Sequence, residues 1–293
     1  MVYVLPKPLV KGDTIGIIAP SGIVSNKENI FRGKQYFEGL GYKVILSENL
    51  FVGDRYLSAP DEVRVSDVHW AFSNPEIDAI ICARGGYGAL RLIDKIDYEL
   101  ISSNPKSFCG YSDITVLSAM FLKRAGLITY SSPMVNGDFG IENRDEYTIN
   151  SFFNALSGQK QLLSGGNIYK EGFAKGLIWG GNLSSVVSLC GVDFIPDEEF
   201  VFFAEDLNEP VYKIDKMFTQ LLNIPKFSQN IRGIVLGDFL DVQYQNQLEY
   251  LFNQLADNLN IPVASGFVIG HDTRKDTIPY GKSCVLDGNK LFI

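Results

Sequence analysis

Through the first half of the chain, short runs of consecutive apolar residues alternate with stretches whose apolar positions recur at helical spacing. TIGIIAP (14–20) is such a run, and it ends in a Pro-Ser-Gly turn. An amphipathic stretch follows at about 26–40, closed by Gly41, and then the run YKVIL (42–46). A helix is expected from about 60 to 73, with Pro60 and Asp61 at its start as a helix N-terminus favours. IDAIICA (77–83) precedes the loop RGGYG and a short helix. KSFCG (106–110), a helix from about 113 to 125 and LITYSS (127–132) complete this half. Strands with continuous Ile, Val and Ala content, separated by helices, predict a parallel sheet covered on both faces.

The stretch SGQKQLLSGGNIYKEG (157–172) is polar and Gly-rich, and it breaks the pattern. The domain junction is expected there, dividing the chain into 1–156, a linker at 157–172, and 173–293. The second half opens with KGLIWGGNLSSVVSLCG, and the run FVFFAED (200–206) reads as its next strand. VYKIDKMFTQLL (211–222) reads as a helix, RGIVLGDF (232–239) as a strand, and about 244–258 as another helix. Several short strands run on to the C-terminus. This half is α/β as well, with more strand at its end.

Composition narrows the function. With 293 residues, 46% of them hydrophobic, the chain can build a large core as one big domain or two smaller ones. The formal net charge is -8, and no Lys/Arg cluster offsets it, so the footprint of a nucleic-acid binder is missing. A small molecule or peptide is the better default partner. Cys82, Cys109, Cys190 and Cys284 lie far apart in apolar runs and read as buried free thiols. No CxxC or Cys/His spacing points to zinc, and no cofactor is expected. The N-terminus MVYVLPKPLVKGD lacks a basic segment followed by an apolar one, and no run reaches the length of a membrane span. A cytoplasmic protein is therefore expected, although a chain from which a leader had been removed would read the same.

Candidate chemistry lies at the ends of the apolar runs. In Gly110-Tyr111-Ser112-Asp113 a buried strand gives way to a helix, so Ser112 is exposed at the carboxyl end of the sheet. The N–H of the next residue then points where an oxyanion would form. A plain N-cap serine fits the same pattern, and Ile114 replaces the last glycine of the G-x-S-x-G elbow. Arg84-Gly85-Gly86-Tyr87-Gly88 reads either as an anion nest or as a tight β–α turn, and its spacing is not G-x-G-x-x-G. Gly281-Lys282-Ser283 is rejected as a P-loop, because Asp276 stands where the first glycine belongs and a strand follows. Only two histidines are present. His69 falls inside the amphipathic helix and reads as structural, whereas His271 falls in a loop at a strand end, where catalytic groups tend to sit. Glu205 and Asp206 finish an apolar strand, at the rim of any cleft there or as a solvated strand end.

Taken together, these pieces resemble the LD-carboxypeptidase family, serine peptidases that trim the terminal D-amino acid from peptidoglycan tetrapeptides. Seven blocks carry the resemblance in order along nearly the whole chain: GDTIGIIAPSG (12–22), ARGGYGALRLIDKIDY (83–98), GYSDITVL (110–117), ITYSSPM (128–134), GLIWGGNLS (176–184), EDLNEPVYKIDKM (205–217) and GHDTRKDTIPYG (270–281). The resemblance implies Ser112 as nucleophile, Glu205 as the acid that orients the histidine, and His271 as base. It implies a flavodoxin-like N-terminal domain and a smaller C-terminal α/β domain, with the active site in the cleft between them. The N–H groups of Asp113 and Gly86 are the candidate oxyanion hole. Arg84, Gly85 and Tyr87 are the candidates for binding substrate. Lys216 and Phe218 depart from the residues many members carry, away from the three catalytic positions. The resemblance also implies a homodimer and a murein peptide as substrate. Two rivals stay open: related proteins that confer self-immunity by hydrolysing peptide-nucleotide antibiotics, and a non-catalytic small-molecule binder on a flavodoxin-like fold.

Overall fold

The computed structural model describes residues 2–293. Five parallel strands form most of the first sheet: β1 (Thr14–Ile18), β2 (Lys43–Leu46), β3 (Ala79–Cys82), β4 (Ser107–Cys109) and β5 (Thr129–Ser131). Every residue of β1 and β3 is buried, as continuous apolar runs require when helices cover both faces. Their spatial order is β2-β1-β3-β4-β5, the flavodoxin-like arrangement. In such a sheet the loops at the carboxyl ends of the strands diverge where the order reverses, which leaves a crevice for a ligand.

The second sheet is built from β6 (Leu162–Ser164), β7 (Ile168–Lys170), β8 (Phe173–Asn182), β9 (Phe200–Leu207), β10 (Ile231–Leu240), β11 (Val263–Ser265), β13 (Ser283–Asp287) and β14 (Lys290–Phe292). Its order is β6-β14-β13-β8-β9-β10-β11-β7, with a parallel centre from β8 to β11 and antiparallel flanks. The stretch 157–172, expected as a linker, thus carries both edge strands of this sheet. Its glycines and polar residues suit short edge strands that show no apolar alternation. One strand crosses over: β12 (Ile278–Tyr280) pairs antiparallel with β5 and joins the first sheet. A single apolar cluster runs from Phe72 and Phe108 under the first sheet to Trp179 and Phe202 in the second. The two halves therefore share packed core.

Helix ends follow local chemistry. The helix Lys27–Gly39 starts at Asn26, whose side chain accepts the Asn29 N–H at 3.3 Å. The segment expected as one helix at 113–125 is a continuous helical path that changes pitch. Ser112–Ile114 is a 3-10 turn, Thr115–Met120 is α, and Phe121–Ala125 widens to a π turn stopped by Gly126 at φ +67°. His69 lies in the helix Asp61–Ser73 and accepts the Asp97 N–H at 2.9 Å, a structural contact as expected. Cys82, Cys109 and Cys284 are buried free thiols and Cys190 is half-buried.

Candidate active site

Ser112 lies three residues beyond the end of β4 and holds φ at +63°, the left-handed region that a serine rarely adopts. Such strain persists only where the surroundings over-determine it, and here they do. Asp113 turns inward and is buried; its carboxylate accepts the Ser21 hydroxyl at 2.5 Å and the Ala89 N–H at 2.8 Å. One side chain thus ties together the loops after β1, β3 and β4. Burial pushes its pKa up, against the hydrogen bonds from Ser21 and Ala89 that favour the charged form. Behind it, the fully buried Arg64 donates to the carbonyls of Ala59 (3.0 Å), Pro20 (2.7 Å) and Gly88 (2.9 Å) and pairs with Asp61 at 2.6 Å. Gly85 passes over Ser112 so closely that a Cβ there would lie 2.9 Å from the serine Cβ.

In the second sheet, β9 carries Glu205 and Asp206 just before its last residue, Leu207. Side chains alternate across a strand, so the two acids face different surroundings. Asp206 accepts the amide of Asn182 at 3.1 Å and the Ser184 N–H at 2.9 Å, tying β9 to the turn after β8. Glu205 is 3% exposed, and its Oε2 lies 2.7 Å from His271 Nδ1. With Nδ1–H donating to the carboxylate, Nε2 is left as the acceptor. Burial by itself lowers the pKa of His271, but the hydrogen bond and charge of Glu205, with Asp206 behind it, outweigh that and raise it above the ordinary 6.5. His271 enters its loop through Gly270 at φ +148°, where a Cβ would stand 3.3 Å from both Glu205 Oε2 and Asp238 Oδ2. Burial first, then the charges of Asp272 and Glu205, push the Asp238 carboxyl up to about 6.

The two halves meet at a cavity of about 330 Å³. Ser112 and His271 line it together with Arg84, Gly85, Gly86, Tyr111, Met134, Asn136, Gly137, Asp138 and Leu207. Of the residues expected at the site, Ser112, His271, Arg84, Gly85 and Gly86 come together here, and Glu205 stands directly behind the histidine. Arg84 donates to the Ile23 carbonyl at 2.9 Å and is the one permanently cationic side chain on the wall. Tyr87 is not on that wall; its half-exposed ring packs on Tyr56 at 5.7 Å. Among the described residues, no group of three or more His, Cys, Asp and Glu side chains is disposed to hold a metal ion.

Residues 15–132 match the LD-carboxypeptidase N-terminal domain, and residues 175–286 match the C-terminal domain of the same family. A probable murein peptide carboxypeptidase of Bacillus subtilis is 33% identical over 292 residues, covering 96% of this chain and 91% of that one. The chain belongs to the LD-carboxypeptidase family. Its fold is also similar to solved relatives. An MccF-like protein from Bacillus anthracis superposes with a TM-score of 0.89 at 28% identity, over 99% of both chains. A muramoyltetrapeptide carboxypeptidase from Oxalobacter formigenes gives 0.86 at 28% identity, over 95% of this chain and 97% of that one.

Sequence reasoning missed part of the site of this LD-carboxypeptidase. Asp138 sits in the turn Val135–Phe139 after β5, and Lys275 sits four residues beyond His271. Their side chains meet at 2.5 Å, both almost fully buried. Asp238 ends up beside Glu205 because β10 runs parallel to β9. No local pattern announces these contacts.

Proposed function

We propose that this chain is a serine carboxypeptidase that cleaves the L,D-amide bond and releases the terminal D-amino acid from murein tetrapeptides. Ser112, Glu205 and His271 are its catalytic triad. One observation carries the reading: the buried Glu205–His271 hydrogen bond of 2.7 Å opens onto the same cavity as a serine held at φ +63°.

In this mechanism Ser112 Oγ attacks the amide carbonyl while His271 Nε2 takes its proton. The tetrahedral oxyanion is received by the N–H groups of Asp113 and Gly86. Asp113 lies in the first turn of a helical segment, where N–H groups point outward. Gly86, at φ +112°, lies on the cavity wall. The C–N bond then breaks, His271 gives its proton to the departing amine, and the D-amino acid leaves. Water, deprotonated by His271, releases the acyl group and restores Ser112. Glu205 holds the imidazole tautomer and stabilises the imidazolium. Arg84, as the permanent cation on the wall, receives the free α-carboxylate that a carboxypeptidase must recognise. Gly85 lines the same subsite, and Tyr87 serves only as a rim residue outside it.

The similarity to an MccF-like structure at a TM-score of 0.89 favours a second reading, hydrolysis of an aminoacyl or peptidyl nucleotide antibiotic by the same triad. Turnover of an L,D-tetrapeptide compared with an aminoacyl sulfamoyl adenylate, each with Ser112→Ala as control, decides between them. No turnover of either substrate leaves a binding protein. We further propose a cytoplasmic homodimer acting in peptidoglycan recycling, with the division 1–156, 157–172 and 173–293. Among the described residues, no helix is long and apolar enough to cross a membrane.

A further inference from the structure

The proposed triad is split between the two sheets, and proton transfer demands heavy atoms within about 2.6–3.2 Å. Some contact must therefore register the histidine loop against the nucleophile turn. The backbone of that loop is pinned from outside by the helix Glu146–Leu156. The Thr148 hydroxyl accepts the Lys275 N–H at 2.9 Å and donates to the Thr273 carbonyl at 3.0 Å, and Ser151 Oγ accepts the Thr277 N–H at 2.9 Å. One side chain of the loop instead turns inward to the site. Lys275 Nζ donates to Asp138 Oδ1 at 2.5 Å, with the two side chains 4% and 7% exposed. Asp138 Oδ2 accepts the Met134 N–H at 2.8 Å, so both carboxylate oxygens are engaged. The same ammonium stands 4.9 Å from the centre of the Tyr111 ring, and that ring meets His271 edge-on at 5.0 Å. Tyr111 is the residue before Ser112. Lys275 therefore touches the carriers of both the nucleophile and the base.

Stability alone does not account for this pair. A buried ion pair costs so much desolvation that apolar residues of the same shape often hold a fold as well. We propose that Lys275 and Asp138 are positioning residues, a latch between the halves that sets His271 against Ser112. The proposal rests on the triad reading above. The charged and titratable groups around His271 are Glu205 and Asp206 from β9, Asp238 from β10, Asp272 and Lys275 from its own loop, Tyr111 from the nucleophile turn, and Arg84 and Asp138 on the wall of the same cavity. Of these Lys275 opposes the acids that make the imidazole more basic.

The test is the pH dependence of turnover of an L,D-tetrapeptide by the full chain carrying Lys275→Met, Lys275→Arg, Asp138→Asn or Asp138→Asn/Lys275→Met, with melting temperatures alongside. Lys275→Met and Asp138→Asn should each lower kcat tenfold or more and change KM less than threefold. Lys275→Met should also move the acid limb of kcat/KM to higher pH, because the opposing cation is gone. Lys275→Arg should leave the limb in place. The double variant buries no unpaired charge, so it should fold even where a single variant does not, and its kcat should stay low. Wild-type kcat in the double variant, or an acid limb that Lys275→Met leaves unmoved, overturns the latch. Turnover that survives Ser112→Ala would instead sink the triad reading on which the latch rests, and that control needs no variant of the latch.

Discussion

Gly85 and Ser112 are packed so that a methyl group on the glycine would sit 2.9 Å from Ser112 Cβ and 3.1 Å from its Oγ. The loop after β3 therefore forms the roof over the serine, and the roof tolerates no side chain at that point. A methyl there has to displace either the loop or the hydroxyl. Gly85→Ala should lower kcat at least tenfold at a stability cost of about 1–3 kcal/mol. Comparing kcat with the denaturation midpoint checks this, and unchanged kcat would mean that the serine is not held by this contact.

Ser112→Ala and His271→Ala should each lower kcat by about 10⁴-fold or more with folding intact. Members of a triad act as a unit, so the double variant should be little worse than either single one. Multiplicative losses in the double variant would show that the two residues act independently.

Arg64 has no part in the chemistry, yet its guanidinium holds three carbonyls around the nucleophile turn. Arg64→Met should destabilise the protein by roughly 3–5 kcal/mol, since it leaves those three carbonyls without their donor, while Asp61 keeps Arg91 and Lys95 as partners. Equilibrium denaturation reads this directly. A loss under 1 kcal/mol would mean that water replaces the guanidinium.

Much of the fold was legible because it is local. The helix at 211–222 has the predicted bounds, and β9 and β10 lie within a residue of the runs FVFFAED and RGIVLGDF. Ser112 and His271, which line one cavity, could be singled out as candidates because strand ends display functional groups and because the surrounding blocks are ordered along the chain. What escaped depends on pairing across sequence. The polar stretch at 157–172 becomes two edge strands only because β14 and β11 lie open to it. Strand β12 abandons its own half to cap β5. Asp138 and Lys275 are 137 positions apart, and nothing in either neighbourhood names the other.

Chelation should leave the activity unchanged. Among the described residues no cluster of suitable donors exists, and the two histidines do not share a site, since His69 sits in the helix Asp61–Ser73 and accepts the Asp97 N–H. Dialysis against a strong chelator followed by a tetrapeptide assay tests this. Loss of turnover that zinc restores would overturn the serine mechanism.

The pH profile tests the roles of His271 and Glu205 together. His271 must be neutral to accept the Ser112 proton, so kcat/KM should fall as pH drops through its pKa. Burial alone would lower that pKa, but Glu205 holds it above 6.5. The acid limb should accordingly lie above 6.5 in the wild type. Glu205→Gln keeps the shape and removes the charge. The imidazolium loses its stabilising partner, so the limb should move to lower pH. The rate on the plateau should fall about 10³–10⁴-fold, because an amide no longer supports the developing charge or enforces the tautomer. Asp238 titrates nearby, at about 6, so Asp238→Asn must be run beside it. Removing that neighbouring negative charge should shift the limb slightly downward without the large loss of plateau rate. His69 lies in the helix Asp61–Ser73, away from the cavity, and His69→Gln should leave the limb where it is. A limb that follows His69, or one that Glu205→Gln leaves unmoved, assigns the base elsewhere.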